Sequence, residues 1–338
     1  MNITFIFGNG FDINLGMKTS YANFQKWYMD KYEDEYFAQV MKDDIDSGRD
    51  NWSDLEESLG KHTSCLPKDG IVTFLNNKLK LECRLLEYLK NQEESISIDY
   101  ASAGEKFRVA IGNFSSAFDS DSLLEYEKFI RSVADTIDYK LITMNYTSVL
   151  DKIYKEAGKK ATPVLTHRAN NGVNYPDKIS KPLYLHGRID DPNNKNGMIL
   201  GVANEEQILN ADYRDRNLCA DYIIKESLNR KIGARNVEQA KNIIDNSRYI
   251  CIFGASLGVT DNALWKYLGT WLLSGEGKRL VIFVRDTTVV EGVAMSQAMS
   301  KDRQRDLFIE RAGIKDEIRN TVAQRIIVCL NSPIFDLK

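Results

Sequence analysis

Proline is scarce in this 338-residue sequence, with six in all, and there is no low-complexity tract. Together these exclude a long disordered linker. Cysteine offers no framework either. Cys65, Cys83, Cys219, Cys251 and Cys329 are odd in number, widely spread and contain no Cys-x-x-Cys pair. That argues against both a zinc ribbon and a disulfide scaffold, and no metal is expected. No apolar run approaches the length of a membrane span. No basic-plus-apolar leader precedes the strand-like run that begins at residue 3. We therefore expect no membrane partner and a reducing, cytoplasmic setting. Charge of one sign is also missing, because 45 basic residues meet 48 acidic ones for a net charge of −3. That balance argues against nucleic acid as a partner, leaving only a local basic patch open.

What is present begins at the amino terminus. The apolar run 3–7 opens directly into Gly8-Asn9-Gly10-Phe11-Asp12, followed by Gly16-Met17-Lys18-Thr19-Ser20-Tyr21. A strand running through Gly-x-Gly into a helix is where α/β proteins hold a nucleotide phosphate. Glycine lets the backbone approach the ligand, and the helix start offers free N–H groups. The third glycine of the dinucleotide fingerprint is absent, with Ile13 in its place, and no Gly-Lys-Ser/Thr follows. Taken alone, the motif reads equally well as a tight strand-to-helix turn.

Apolar runs separated by helical stretches imply an α/β chain with a mostly parallel sheet. Strands are expected at 3–7, 139–144, 162–166, 182–186, 197–202, 248–254, 279–284 and 324–330. The first and second are separated by about 130 residues of helical pattern, with helices expected at 20–36, 53–60, 70–92, 104–117 and 121–136. This is too long for an ordinary crossover and reads as a helical subdomain inserted after the glycine loop. Residues 167–181, with Asn170-Asn171-Gly172, read as an irregular loop or hairpin. The charged stretch 288–319 reads as a solvated helix.

Polar residues recur where such a sheet places its site, at the carboxyl ends of strands. Leu141-Ile142-Thr143-Met144 ends in Asn145-Tyr146-Thr147, and the strand before His186 ends in His186-Gly187-Arg188. The 248–253 run ends in Gly254-Ala255-Ser256-Leu257-Gly258, then Asp261-Asn262. Each has a plain structural reading as a turn residue, a satisfied histidine or a helix cap. Their recurrence at four strand ends is the case for a site.

These residues carry a resemblance. Gly8-x-Gly10-x5-Gly16, Thr143-x-Asn145, His186-Gly187 and Gly254-x-Ser256-Leu257 resemble the ordered motifs of the sirtuin-type NAD-binding fold. Gly-Asn-Gly-Phe-Asp with Lys18-Thr19-Ser20-Tyr21, Trp52-x2-Leu55-Glu56 and Asn145-Tyr146-Thr147 resembles the AbiH family, bacterial abortive-infection proteins that act against phage. The AbiH-like match spans roughly residues 1–285 and the sirtuin-like one only the short motifs. The resemblance implies a Rossmann-like (sirtuin-like) α/β domain from 1–19 and 137–338, with 20–136 inserted as a helical subdomain.

It also implies roles. Gly8, Gly10 and Gly16 would cradle the NAD diphosphate, with Asn9, Phe11, Thr19 and Thr143 in the same binding surface. Asn145 would orient water near the nicotinamide ribose, and His186 would contact that ribose and act as base. Gly254, Ser256, Leu257 and Asp261 would belong to the adenosine-side segment. Asp12 and Glu56 are carboxylates positioned to take over polar contacts. Thr147 and Thr19 stand where sirtuins carry aspartates, and the four-cysteine zinc site is missing, which counts against protein deacylation. The implied function is an anti-phage NAD hydrolase, homo-oligomeric and restrained until a phage-derived trigger arrives. A nucleotide sensor without turnover, a nuclease and a scaffold without a site are the competing readings.

Overall fold

The computed structural model describes residues 1–159, 164–191, 197–215 and 219–338. The chain opens with β1 (Asn2–Phe7) and a single helical turn, α1 (Gly10–Asn14). Six helices follow: α2 (Tyr21–Lys31), α3 (Tyr36–Asp46), α4 (Leu55–His62), α5 (Ile71–Ser95), α6 (Tyr100–Asn113) and α7 (Ser120–Ser132). Then come β2 (Asp138–Thr143), α8 (Val149–Ala157), β3 (Leu165–Arg168), β4 (Asn174–Ile179) and β5 (Leu183–Tyr184). Helices α9 (Asp221–Ile223), α10 (Lys225–Lys231) and α11 (Asn236–Asp245) lead into β6 (Ser247–Phe253). The chain closes with α12 (Asn262–Leu273), β7 (Arg279–Val284), α13 (Ala294–Arg311), α14 (Arg319–Ala323) and β8 (Ile326–Leu330).

The strands form one sheet in the order β3-β4-β2-β1-β6-β7-β8, with β5 continuing alongside β2. Every ladder is parallel except β3–β4. The chain is thus α/β with a mostly parallel sheet. β1 is central: the chain first steps outward to β2 and its neighbours, then returns to build β6, β7 and β8 on the other side. Register places Phe7 beside Thr143 on one flank and Phe253 on the other, while Thr143 lies beside Tyr184. The carboxyl ends of β1, β2, β5 and β6 therefore meet at one edge.

Alternation along the strands makes two cores. Ile3, Phe5 and Phe7 face α6, α7 and α8 through Phe107, Phe114, Tyr126 and Ile153. Ile6, Ile250 and Ile252 face the other way, against Trp265 and Leu268 of α12 and Phe308 of α13. A third core joins α2–α5 to segments from residue 189 to 224, through Phe24, Phe37, Trp52, Leu59 and Phe74 with Leu200, Ile208 and Tyr213. The helices between β1 and β2 thus divide between two cores. Among the described residues no helix is long and apolar enough to cross a membrane.

Several sequence expectations change. The 197–202 run forms no strand; Val202 makes only an isolated bridge to Ile224. Its apolar residues fill the third core instead, with Leu200 and Val202 at 0% and 1% exposure. The strand expected at 182–186 shrinks to Leu183–Tyr184. Residues 162 and 163 lie outside the described residues, and the strand there is Leu165–Arg168. The 167–181 stretch is a hairpin, β3–β4, turning at Gly172 with φ +79°. Helix α3 was not expected, because its apolar residues are diluted by a Lys-Asp-Asp run.

The glycine loop has a packing cause. The Gly10 amide donates to the Gly254 carbonyl at 2.7 Å, and a Cβ on Gly10 would lie 2.6 Å from the Gly254 Cα. A side chain there has only backbone to displace. Gly10→Ala is expected to destabilise the protein by roughly 1–3 kcal/mol. Gly158→Ala, where a Cβ meets nothing nearer than 3.9 Å, should be close to neutral. Urea unfolding of both variants checks this, and equal losses would refute it.

Candidate functional site

Two clusters stand at the shared carboxyl edge. The first is built around Asp12, carried by α1 and 1% exposed. The Thr147 hydroxyl donates to its Oδ2 at 2.7 Å, while Oδ1 is buried with no partner among the described residues. Burial pushes the Asp12 carboxyl up to about 7, against the pull of the Thr147 and Asn145 side chains. Asn145 follows β2, and its backbone N–H donates to Thr143 Oγ1 at 3.1 Å. Its Nδ2 lies near Asp12 but is left without a hydrogen bond. A buried acid near its neutral point beside an unpaired amide donor can exchange a proton or hold a polar ligand.

The second cluster is a chain of charges. His186 Nε2 lies 2.9 Å from Asp261 Oδ1. Lys225 Nζ donates to that same oxygen at 2.7 Å and to Glu56 Oε2 at 2.9 Å. The Gly201 N–H and the Tyr146 hydroxyl complete the Glu56 shell at 3.3 and 3.5 Å. Glu56, Lys225 and His186 are all buried. Burial opposes the Lys225 charge, yet the Asp261 and Glu56 carboxylates outweigh it and hold the ammonium above its ordinary pKa. Burial likewise works against the Asp261 charge, but Lys225 and His186 hold that carboxyl well below the usual range. With Nε2 committed to Asp261, Nδ1 of His186 is buried and unpaired.

The sheet explains why these groups meet. Leu185 N–H donates to the Thr143 carbonyl and Met144 N–H to that of Phe7. Asn145 and His186 therefore leave adjacent strands at the same height. Glu56 arrives from the first turn of α4, which Asp54 caps by accepting from the Glu57 N–H.

The other expected residues have varied placements. Gly8, Gly10 and Gly254 pack on one another: a Cβ on Gly8 would fall 2.7 Å from Ala255 Cα, and one on Gly254 2.7 Å from the Phe11 nitrogen. Phe11 is buried against Phe7 with ring centroids 5.0 Å apart. Asn9 and Thr19 pair with each other at 2.5 Å. Gly16 is apart from both clusters, on the surface beside Lys338 at φ +93°. Ser256 is exposed. Leu257 is buried at φ +54°, and its carbonyl accepts from Arg311 Nε at 3.1 Å. Lys225 was not expected, since nothing near it in sequence signals a site. Its partners are 36 and 169 residues away.

Among the cavities that flank this edge, two border the glycine loop or the charge cluster. One, of 520 Å³, lies over the ends of β6, β7 and β8 and is bounded by Gly10, Gly254, Arg285 and Asn331. The other, of 390 Å³, has His186, Lys225 and Asp261 in its wall. Among the described residues no group of three or more His, Cys, Asp and Glu side chains converges as a metal ion requires.

The family described as bacteriophage abortive infection AbiH matches residues 4–282. No curated protein and no solved structure matches the chain.

Lys225→Met leaves the Glu56 and Asp261 carboxylates buried without their cation. It should cost roughly 3–5 kcal/mol, measured by urea unfolding at pH 7; a loss below about 1 kcal/mol would contradict the assigned ion pairs. Asp12 makes a pH prediction. Its folded pKa lies above the ordinary value of 3.8, so its favourable contribution is full below pH 4 and is lost as pH rises through about 7. Asp12→Asn keeps the acceptor for Thr147 and removes the titration. Between pH 4 and 8 the variant should gain roughly 2–4 kcal/mol on the wild type. Parallel stability curves would refute the raised carboxyl.

Proposed function

The chain belongs to the AbiH family of bacteriophage abortive infection, and on that premise we propose that it is an anti-phage effector. In this reading it binds NAD at the carboxyl edge of the sheet and hydrolyses it to nicotinamide and ADP-ribose. The observation that carries the reading is one set of atoms. Asp12 Oδ1, Asn145 Nδ2 and His186 Nδ1 are all buried, all unpaired, and all sit at the ends of adjacent parallel strands or in the turn that follows. Leaving such groups unsatisfied costs stability, and a substrate supplies the missing partners. The strand order supports the same reading, because it reverses at β1 as in doubly wound, Rossmann-like nucleotide-binding sheets.

The bond between the nicotinamide nitrogen and ribose C1′ breaks with its electron pair going to the ring. Water oxygen bonds to C1′, and its proton leaves. In the neutral tautomer that donates Nε2–H to Asp261, Nδ1 of His186 is the acceptor for that proton. Lys225 keeps Asp261 ionised, so the tautomer is held. Asn145 positions the water, and the Asp12 carboxylate faces the oxocarbenium-like charge that develops. Glu56, with its charge matched by Lys225, acts through the ion pair.

Hydrolysis of NAD without restraint would harm the host. The proposal therefore includes a homo-oligomer or a phage-derived trigger that releases activity, with the helices inserted between β1 and β2 as the gate. A second reading is binding without turnover. It is favoured by the Thr147–Asp12 hydrogen bond, since a threonine already occupies the carboxylate.

Incubation of the full chain with NAD, followed by chromatography of nicotinamide and ADP-ribose, tests the proposal. His186→Ala and Asn145→Ala should each lower release at least 10²-fold. Full release in both variants would overturn the assignment. No release, with NAD still raising the melting temperature, would favour the sensor.

A further inference from the structure

The 390 Å³ cavity beside His186 lies within the size range of small-molecule sites, about 300–1,000 Å³. It is distinct from the Gly10–Gly254 side of the sheet. Its two long walls are helices. Val237, Ala240 and Ile244 come from α11, and Ala263, Leu264 and Tyr267 from α12. Alanines on both walls leave the space between them open. The Tyr267 ring is held in place, because its hydroxyl donates to Asp245 at 2.8 Å. A slot with an anchored aromatic ring and aliphatic faces favours a flat apolar ligand.

Polar groups line it too: His186, Lys225 and Asp261 of the charge cluster, then Glu226, Lys241 and Lys266, and one buried amide. Asn229 of α10 is 3% exposed, and neither its Nδ2 nor its Oδ1 has a hydrogen-bond partner among the described residues. A buried amide with both donor and acceptor unmet costs stability unless a bound partner satisfies it. The His186 Nδ1, in the same lining, is unmet as well. The unmet pattern of Asn229 is one donor beside one acceptor. Its complement is an acceptor beside a donor on the rim of a flat ring. A ring carboxamide has this pattern, and so does the N6/N7 edge of adenine.

We infer that the cavity between α10, α11 and α12 is a binding site for a planar heteroaromatic ring with an adjacent donor and acceptor, read by the Asn229 amide. The inference shares His186 with the proposed NAD reading and gives that reading a subsite for a ring, either the leaving nicotinamide or a nucleobase. It stands on binding alone and needs no turnover.

The test is calorimetric titration of the full chain with nicotinamide, with adenine and with pyridine, which has the ring without the edge. Nicotinamide or adenine should bind at least tenfold more tightly than pyridine. Which of the two binds identifies the source of the ring. Asn229→Leu should remove that tenfold preference and leave the melting temperature equal or higher, because an unmet amide is lost. Ala263→Phe, a substitution at an exposed position of α12, should block the slot and abolish binding of all three. Absence of binding to the wild type overturns the inference, as does unchanged binding in both variants. A fall in melting temperature in Asn229→Leu with the tenfold preference kept would show that the amide serves the fold. Ring binding without nicotinamide release from NAD would sink the hydrolase reading and leave this one standing.

Discussion

Lys225 holds the site together. Its ammonium is shared between Glu56, which belongs to α4, and Asp261, which belongs to the loop after β6. Three parts of the chain distant in sequence are thereby tied through one buried cation. The geometry leaves His186 a single free nitrogen, because Asp261 takes up Nε2 and Nδ1 has no partner among the described residues. A buried ion pair is weak evidence for stability, since desolvation offsets the attraction. Two carboxylates around one lysine make more sense as a device that fixes position and charge. The cluster ties α4 to the sheet edge and anchors Nε2 of the histidine in the same stroke.

Several of the unmet buried atoms fall at or near the proposed site, while others belong to Asp151, Tyr184, Arg248 and Asn262. Asp12, Asn145, His186 and Asn229 all carry buried polar atoms without partners, and three of them lie within reach of the strand ends. Other buried polar side chains are fully paired. Thr4 bonds Ser247 at 2.6 Å, and His167 is held by Asp177 and by the Val133 carbonyl, all at 2.9 Å or less. Folding alone would favour replacing the unmet groups with apolar ones.

Much of the frame was legible because central strands are plain apolar runs. Residues 248–254 and 279–284 could hardly be misread. The short pairing of β5 was not legible, since two residues carry no period. The 197–202 run was misleading because burial in a loop and burial in a strand select the same residues. The site was read in halves. Asn145, His186 and Asp261 stand out as polar residues closing strands. Lys225 does not, because a lysine beside a glutamate looks like any solvated helix start. The glycines carry a further lesson. Gly8, Gly10 and Gly254 look like a ligand cradle in sequence, and close backbone packing is a second reason for glycine at each.

The division of the inserted helices between two cores bears on how this architecture can be taken apart. Helices α6 and α7 cover Phe5, Tyr139 and Tyr249 of the sheet, whereas α2–α5 share their interior with Ile189, Leu200, Ile208, Tyr213 and Ile224. Neither group is a cassette. Excision of everything between β1 and β2 would strip one sheet face of its cover and open the third core along the 189–224 side. The natural seam runs through α5–α6, near residues 96–99, rather than at the points where the chain leaves and rejoins the sheet. A transplant, truncation or fusion that respects this seam keeps the sheet covered on both faces.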